Sequence, residues 1–402
     1  MRSYVLGRES DGRRLATGDA TDRDDRSTKR TMSEDSDIRP VLPDYGGGCV
    51  TELIPTILGG EEPPVDGVVA PEIADASAVV VLVLDGLGWN QLQERRSVAP
   101  TLCELAGGPV TTVAPSTTAT ALTSICTGTA PGRHGVVGYR IDVAGEVLNA
   151  LRWTTPRGDA RERIVPSAFQ PEPAFLGQRP LVVTMAGFEG TGFTMAHLAG
   201  VRHDGWHTLP GIAVTVRRAI AAGEPFVYAY YDGIDKTAHV HGFGEHYDAE
   251  LAACDRMVAD LMMSLPRGTA LVITADHGIV DCAGKAVALD ASLTRHIDRQ
   301  SGEARFRWLH AEPGHARDLA TEAAELHGDT AWVRTVDEVI GEGWFGDAVT
   351  ADARGRLGDV AIVAKDRWYF LDPADSPRIE LVGRHGSLTP DEMYVPMLTH
   401  AG

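Results

Sequence analysis

The chain has 402 residues and a formal net charge of −19, which argues against a broad surface for nucleic acid or anionic membranes. Its composition, 43% hydrophobic and 23% charged residues, is that of an ordinary soluble globular protein, and no apolar run approaches the roughly 18 residues of a membrane span. The five cysteines are scattered and lack a Cys-x-x-Cys pair, which indicates a reducing compartment and argues against disulfides or a thiolate zinc site. Because the N-terminus lacks a secretory segment, we expect a cytoplasmic location.

The first 40 residues differ in character from the rest of the chain. Residues 1–40 are rich in Arg, Asp, Ser and Gly and show almost no aliphatic periodicity, so we predict a disordered tail. Met32 begins a more ordinary N-terminus, and translation starting there is an alternative to Met1. We assign residues 41–402 to one folded domain.

An uninterrupted apolar run, residues 79–84, is typical of a strand that is buried on both faces of a parallel sheet. It ends at Asp85, which Gly86 follows. A carboxylate at the end of a central strand lies in the crevice where open α/β sheets bind ligands. Asp-Gly is also a common turn pair, so Asp85 alone is weak evidence of function.

The second informative stretch covers residues 110–138. A short β-prone run to Ala114 is followed by Pro115, and the pattern then predicts a helix from Thr118 to Cys126 that Gly128 ends. Hydroxyl groups at a helix start are usually caps. A helix N-terminus is also an anion site, because its N–H groups are free and its dipole is favourable.

Two further apolar strands are expected at residues 225–231 and 269–275, with helical periodicity at 211–222 and 247–265. Buried strands that alternate with helical stretches indicate an α/β fold, a doubly wound and mostly parallel sheet flanked by helices. Residues 139–180 resemble an insertion made of loops. Residues from about 285 to 375 carry a second alternation, which we interpret as a small lid-like α+β insertion.

Acidic and imidazole side chains concentrate where these strands end. The last strand is followed by Asp276 and His277, and a glycine-flanked turn near the C-terminus carries His385. The strand at 225–231 is followed by Asp232, Asp235, His239 and His241. Asp235 and His239 are one helical turn apart and can face the same side. Carboxylate and imidazole ligands without thiolates suit zinc or manganese, and a set of this size is about right for two ions.

The order of these motifs resembles a known family. Asp85-Gly86, the Pro115–Gly128 stretch, Asp235-x-x-x-His239, Asp276-His277-Gly278 and His385-Gly386 follow one another along the chain. The pattern is similar to that of the nucleotide pyrophosphatase/phosphodiesterase (type I phosphodiesterase) branch of the alkaline phosphatase superfamily. Each motif is weak by itself, whereas five motifs in order at strand ends form a strong signal.

The resemblance implies an alkaline-phosphatase-like fold, two divalent ions, most readily Zn²⁺ with Mn²⁺ as the alternative, and a threonine nucleophile. The first ion would be held by Asp85, Asp276, His277 and the nucleophile hydroxyl, and the second by Asp235, His239 and His385. In the family the nucleophile lies nine positions before the threonine of a Thr-Gly pair. Counting back from Thr127 gives Thr118, and Thr117 is the rival.

The resemblance also implies a metal-dependent hydrolase of phosphoric esters or anhydrides that forms a phospho-threonine intermediate. The expected partner is a small-molecule phosphoester, and nucleotides are among the candidates. Relatives often have Asn three positions after the nucleophile, where this chain has Ala121. The substrate therefore stays open among phosphodiesters, nucleotide pyrophosphates, phosphomonoesters and phosphonates. A phosphomutase of the same superfamily and a non-catalytic nucleotide-binding relative are the remaining alternatives.

Overall fold

The computed structural model describes residues 39–59, 68–70, 73, 75–372 and 381–402. The predicted disordered tail lies outside the described residues except for its last two, and so does the alternative start at Met32. Residues from Arg39 to Gly402 belong to one unit. All five cysteines lie in the described part and carry free thiols. No helix among the described residues has the length and apolar character needed to cross a bilayer.

Strands and helices alternate along most of the described chain. The strands are β1 (Ala78–Leu84), β2 (Ala106–Thr111), β3 (Arg140–Val143), β4 (Glu146–Asn149), β5 (Thr154–Thr155), β6 (Gly158–Asp159), β7 (Leu181–Val183), β8 (Arg202–His203), β9 (Phe226–Tyr231), β10 (Thr269–Thr274), β11 (Val280–Asp281), β12 (Ala286–Val287), β13 (Ile297–Gly302), β14 (Phe306–Ala311), β15 (Ala331–Thr335), β16 (Val360–Ala364), β17 (Tyr369–Phe370), β18 (Gly383–Arg384) and β19 (Tyr394–Ala401).

The helices are mostly short, and the longest of those described, α10, has 20 residues. They are α1 (Leu53–Leu58), α2 (Trp89–Glu94), α3 (Pro100–Glu104), α4 (Thr118–Thr127), α5 (Pro131–His134), α6 (Pro166–Phe169), α7 (Gly192–His197), α8 (Leu209–Ala221), α9 (Gly233–His241), α10 (Glu245–Ser264), α11 (Ala291–Thr294), α12 (Ala316–His327), α13 (Val336–Gly341), α14 (Ala351–Arg354) and α15 (Pro390–Met393).

The central sheet has the strand order β2-β19-β10-β1-β9-β7-β8. The five strands from β10 to β8 pair in parallel, and β1 lies between β10 and β9. Every residue of β1 and of β10 is buried, as expected for strands covered by helices on both faces. The mostly parallel, doubly wound sheet predicted from the apolar runs is therefore confirmed.

One end of the central sheet differs from the sequence-based expectation. The C-terminal strand β19 pairs antiparallel with β10 on one side and with β2 on the other. β2 ends at Thr111, so the strand predicted up to Ala114 begins and ends earlier than expected. The residues between β2 and α4 form a buried connection instead of a strand. The sheet is consequently parallel over five strands and mixed at this edge.

Outside the central sheet, the described residues form two four-stranded sheets and the two-stranded pairs β11–β18 and β12–β17. Residues 139–180, expected to form loops, contain the antiparallel sheet β3-β4-β5-β6. The second sheet has the order β13-β14-β16-β15 and lies within residues 286–370, which also contain the β12–β17 pair and helices α11 to α14. We call residues 286–370 the accessory module. Its expected role as a lid stays a prediction.

Candidate functional site

The candidate site lies where three parallel strands of the central sheet end. β1 ends directly before Asp85, β10 ends two residues before Asp276, and β9 leads into α9. Because these neighbouring strands run in the same direction, their carboxyl ends meet at one edge of the sheet. This is the edge at which open α/β sheets bind ligands.

The first cluster at this edge consists of Asp85, Asp276 and His277, all of them buried. His277 Nε2 lies 3.4 Å from Asp85 Oδ1 and 3.5 Å from Asp276 Oδ2. The backbone N–H groups of Gly86 and His277 donate to Asp276 Oδ1 at 3.2 and 3.1 Å. The Tyr230 hydroxyl donates to Asp85 Oδ2. Each carboxylate is therefore held through one oxygen and directs the other towards the imidazole.

The second cluster consists of Asp235, His239 and His385. The first two are one turn apart on α9, with His239 Nε2 3.2 Å from Asp235 Oδ2. His385 comes from the loop after β18, and its Nε2 lies 3.8 Å from Asp235 Oδ1. In each cluster, one possible ligand atom per residue lies within 4.8 Å of the others. The i, i+4 spacing read from the sequence does place both side chains on one helix face.

The two clusters adjoin, and Thr118 lies against them. The imidazole rings of His277 and His385 stack with their centroids 3.6 Å apart. Thr118, the first residue of α4, has its Oγ1 3.0 Å from His277 Nε2. The structure therefore brings together all seven residues that the sequence singled out, namely Asp85, Thr118, Asp235, His239, Asp276, His277 and His385.

Two residues that were considered with them belong to neither cluster. Asp232 forms an ion pair with Lys236, whose Nζ is 2.5 Å from Asp232 Oδ2. His241 is exposed, and its ring stacks on that of His246 at 3.9 Å. The sequence could not separate these residues from the ligand candidates, because all of them follow β9 within ten positions.

Backbone carbonyl groups fix the orientation of the three site histidines. Each imidazole contacts a carbonyl oxygen through Nδ1: His277 with Gly278 at 3.0 Å, His239 with Gly383 at 2.7 Å and His385 with Ser116 at 3.0 Å. A carbonyl can only accept, so Nδ1 must carry the proton. The Nε2 lone pairs then face the clusters, which is the arrangement that metal-binding histidines use.

Burial and converging charge shift the acidities of the carboxyl groups. Burial, together with the carboxylates of Asp276 and Asp235, raises the pKa of Asp85 well above its usual range. The pKa of Asp276 is also raised, by burial and by Asp235. Burial opposes the ionisation of Asp235 too, but the positive charge that His239 and His385 carry when protonated outweighs it and lowers the Asp235 pKa. A cation would relieve this concentration of carboxyl groups.

One oxygen of each site aspartate is buried without a hydrogen-bond partner in the described part of the chain, namely Asp85 Oδ1, Asp235 Oδ1 and Asp276 Oδ2. A buried carboxylate oxygen without a partner is costly. The set of carboxylate oxygens and imidazole nitrogens, with no thiolate among them, matches the ligands of hard or borderline divalent ions. The residues present therefore fit two candidate sites for divalent cations.

The glycine after Asp85 allows the two clusters to lie this close. Gly86 has φ +75°, and a β-carbon there would lie 2.8 Å from Asp235 Cβ and 2.9 Å from its Cα. The backbone N–H of Asp235 donates to the carbonyl oxygen of Asp85 at 3.1 Å. Any side chain at position 86 would push α9 away from the end of β1.

The start of α4 offers free backbone donors beside Thr118. Thr117 is the N-cap residue, and its side chain makes no capping hydrogen bond. Ala121, at the position where Asn was noted as frequent, is fully buried. The hydroxyls of Thr120 and Thr123 are the nearby groups that could take the place of that amide, and Thr123 Oγ1 donates to the Ala119 carbonyl at 2.7 Å. Thr120 Oγ1 is buried and has no partner among the described residues, so only Thr120 keeps an uncommitted hydroxyl.

Two residues near the site were not predicted from the sequence. Tyr230 was counted only as part of a strand, although its position on β9 beside β1 places its hydroxyl on Asp85. Glu303 comes from the accessory module and packs against Gly386, the residue after His385. Burial raises the pKa of the Glu303 carboxyl to about 8. No motif surrounds Glu303, so only the folded chain reveals its position.

Comparisons with known proteins identify the family and the fold. The sequence matches the family model for type I phosphodiesterase / nucleotide pyrophosphatase over residues 79–388. None of the curated proteins matches the chain in sequence. The structure is similar to murine ectonucleotide pyrophosphatase/phosphodiesterase 5, with a TM-score of 0.60 and 18% identity over 80% of this chain and 88% of that one. A second murine structure with the same score and identity, covering 81% and 88% of the two chains, is an inactive variant in complex with AMP.

A phosphonate-cleaving enzyme has a similar structure. Phosphonoacetate hydrolase from Sinorhizobium meliloti 1021, in complex with phosphonoformate, aligns with a TM-score of 0.59 and 16% identity over 81% of this chain and 90% of that one. At such identities the likeness shows a shared fold, the alkaline-phosphatase-like sheet flanked by helices. The family model, in contrast, spans more than half of the sequence. The chain belongs to the type I phosphodiesterase/nucleotide pyrophosphatase family, a family of hydrolases that is typically dependent on divalent metal ions.

Proposed function

We propose that this protein is a two-metal phosphodiesterase of small-molecule phosphoesters that acts through a phospho-threonine intermediate on Thr118. The observation that carries the proposal is the position of the Thr118 hydroxyl, 3.0 Å from Nε2 of His277, whose ring stacks on that of His385 in the second cluster. Thr118 is also the first residue of α4, where free N–H groups favour an anion. The rival, Thr117, lies one residue outside the helix.

The two ions are proposed to be Zn²⁺, with Mn²⁺ as the alternative, because the donors are imidazole nitrogens and hard oxygens. Asp85, Asp276, His277 and Thr118 would hold the first ion. Asp235, His239 and His385 would hold the second. When bound, such ions favour the deprotonated form of a hydroxyl and stabilise charge on phosphoryl oxygens.

Different residues of the site would have different roles in the reaction. Thr118 Oγ forms a bond to phosphorus while the bond from phosphorus to the leaving-group oxygen breaks. That oxygen keeps the electron pair of the broken bond and takes up the proton that the Thr118 hydroxyl gives up, so the leaving group departs as an alcohol. The free N–H groups at the start of α4 stabilise the charge on the phosphoryl oxygens. Water then cleaves the phospho-threonine and regenerates the hydroxyl. The buried carboxylates and the fixed imidazoles keep the ligand atoms in place between these two steps.

A phosphodiester is the leading substrate because the family is named for diester and pyrophosphate cleavage. A phosphonate is the second candidate, since phosphonoacetate hydrolase has the same fold over 90% of its length. The absence of an amide at Ala121 leaves room for either. A non-catalytic relative is disfavoured because all seven positions are filled and converge.

The proposal is tested by metal analysis together with three substrates. We expect about two equivalents of zinc or manganese and faster hydrolysis of bis(p-nitrophenyl) phosphate than of p-nitrophenyl phosphate at equal concentration. Phosphonoacetate is the third substrate. Faster hydrolysis of the monoester or of phosphonoacetate would contradict the diesterase proposal and favour that substrate class instead. A protein without metal and without turnover would contradict a catalytic function altogether. The expected cytoplasmic location stays a prediction.

The hydrogen bond from Tyr230 to Asp85 leads to a prediction about metal affinity. Replacing Tyr230 with Phe removes the donor that holds Asp85 Oδ2 and should weaken binding of the first ion by about tenfold or more. Competition with a chromogenic chelator measures this without any assay of activity. The matched control is Tyr228→Phe, since the Tyr228 hydroxyl is buried on the same strand and has no hydrogen-bond partner among the described residues. Equal affinities in the two variants would contradict the prediction.

A further inference from the structure

A turn of the accessory module reaches the candidate site. Glu303 lies between β13 and β14, and its N–H donates to the Phe306 carbonyl at 2.8 Å. Two residues later, the fully buried Arg305 donates to both carboxylate oxygens of Glu392, at 2.7 and 2.8 Å. This buried ion pair holds the turn against the main part of the protein and thereby fixes the position of Glu303.

The Glu303 carboxyl lies next to both loops that carry the proposed reacting groups. A β-carbon on Gly386, which has φ +123°, would lie 2.7 Å from Glu303 Cδ. The Thr117 hydroxyl is also close enough to this carboxyl to lower its pKa, against the effect of burial. Gly386 follows His385, and Thr117 precedes Thr118. The carboxyl therefore lies beside the residues that are adjacent in sequence to the proposed nucleophile and to a proposed metal ligand.

One oxygen of this carboxyl has hydrogen-bonding capacity that the described part of the chain does not use. Glu303 Oε1 is buried and has no hydrogen-bond partner among the described residues. The side chain as a whole is only partly buried, so it is not sealed inside the core. In either protonation state a carboxyl group keeps an acceptor oxygen. An unused acceptor in a buried position favours a ligand that brings a donor.

Building on the proposed function, we propose that Glu303 is a specificity-determining residue that accepts a hydrogen bond from a hydroxyl group on the non-reacting alcohol of the substrate. The substrate class is then a phosphodiester of a hydroxylated alcohol, such as a polyol or a sugar. An alcohol of the same size without the hydroxyl would leave the Glu303 acceptor unpaired. A site that hydrogen-bonds a substrate hydroxyl discriminates strongly against analogues that lack this hydroxyl.

Two chromogenic substrates of nearly equal shape test this assignment. The 3-hydroxypropyl and butyl esters of p-nitrophenyl phosphate differ by a hydroxyl in place of a methyl group, and both release p-nitrophenol. With the metal-loaded enzyme, we expect kcat/KM to favour the hydroxypropyl ester by about tenfold or more. Glu303→Met should reduce this ratio to about one. Glu303→Gln, which keeps an acceptor oxygen, should preserve most of it.

The ratio of the kcat/KM values for the two substrates is measured within each variant. A loss of active protein lowers both values equally and leaves the ratio unchanged. Glu303→Ala is the second apolar variant if Glu303→Met folds poorly, and Glu325→Met, at an exposed position of α12, is the matched control. An unchanged ratio in both apolar variants, with the wild-type enzyme active, overturns the assignment and leaves the proposed function standing. A wild-type enzyme that is loaded with metal and hydrolyses neither ester overturns both.

Discussion

Replacing Thr118 with Ala should lower kcat for a phosphodiester by at least about 10³-fold, because the variant lacks the hydroxyl that forms the covalent intermediate. The change removes one small buried group whose described contact is with His277 Nε2. The fold and the two clusters should therefore survive. Steady-state kinetics gives the loss, and metal analysis with circular dichroism shows whether the protein is otherwise intact.

Two matched variants separate loss of the nucleophile from local damage. Thr118→Ser keeps a hydroxyl at the same position and should recover most of the activity. Thr117→Val removes the neighbouring hydroxyl, which lies outside α4, and should lower kcat by less than about tenfold. A Thr118→Ala enzyme with near wild-type turnover, or a Thr117→Val enzyme that is inactive, would assign the nucleophile to a different residue.

The residues at strand ends could be predicted because parallel sheets have a simple geometry. Once the apolar runs before Asp85 and Asp276 are recognised as neighbouring buried strands, their carboxyl ends must share an edge. The i, i+4 spacing of Asp235 and His239 adds a helix face to the same edge. Convergence of these residues therefore follows from local patterns alone.

Other parts of the structure depend on pairing that no local pattern encodes. The sheet β3-β4-β5-β6 is formed from strands of two to four residues, which are too short for an alternating pattern to stand out from loops. The antiparallel edge requires β19 to return from the far end of the chain to β10. Glu303 reaches the site from the turn between the paired strands β13 and β14. These features come from long-range contacts, and a single sequence does not display them.

The buried ion pair between Arg305 and Glu392 joins the accessory module to the site loops. Both side chains are fully buried. Arg305 also donates to the carbonyl oxygens of Asp366 and Trp368. Glu392 accepts from the backbone N–H of Ser387 at 2.9 Å. Its own carbonyl oxygen accepts from the N–H of the glycine that follows His277, at 2.9 Å. The pair therefore supports the two loops that carry His277 and His385.

Replacing Arg305 with Met should consequently lower the free energy of unfolding by about 3–5 kcal/mol, because it leaves the Glu392 carboxylate buried without its cation. The size of this loss approaches the total stability of many domains. Denaturant unfolding measures it. Arg354→Met is the control, since Arg354 pairs with Asp337 at 2.8 Å on the surface, with side chains 46% and 84% exposed, and should change stability by less than about 1 kcal/mol.

A double variant shows whether the loss comes from an uncompensated charge. Arg305→Met combined with Glu392→Gln removes both charges, and the amide oxygen of the glutamine can still accept from the Ser387 N–H. The double variant should therefore recover part of the stability that the single variant loses. If the double variant is less stable than Arg305→Met alone, the packing of the two side chains matters more than their charges. If Arg305→Met is no less stable than the Arg354→Met control, the accessory module is held in place by its apolar contacts, and the position of Glu303 does not depend on this ion pair.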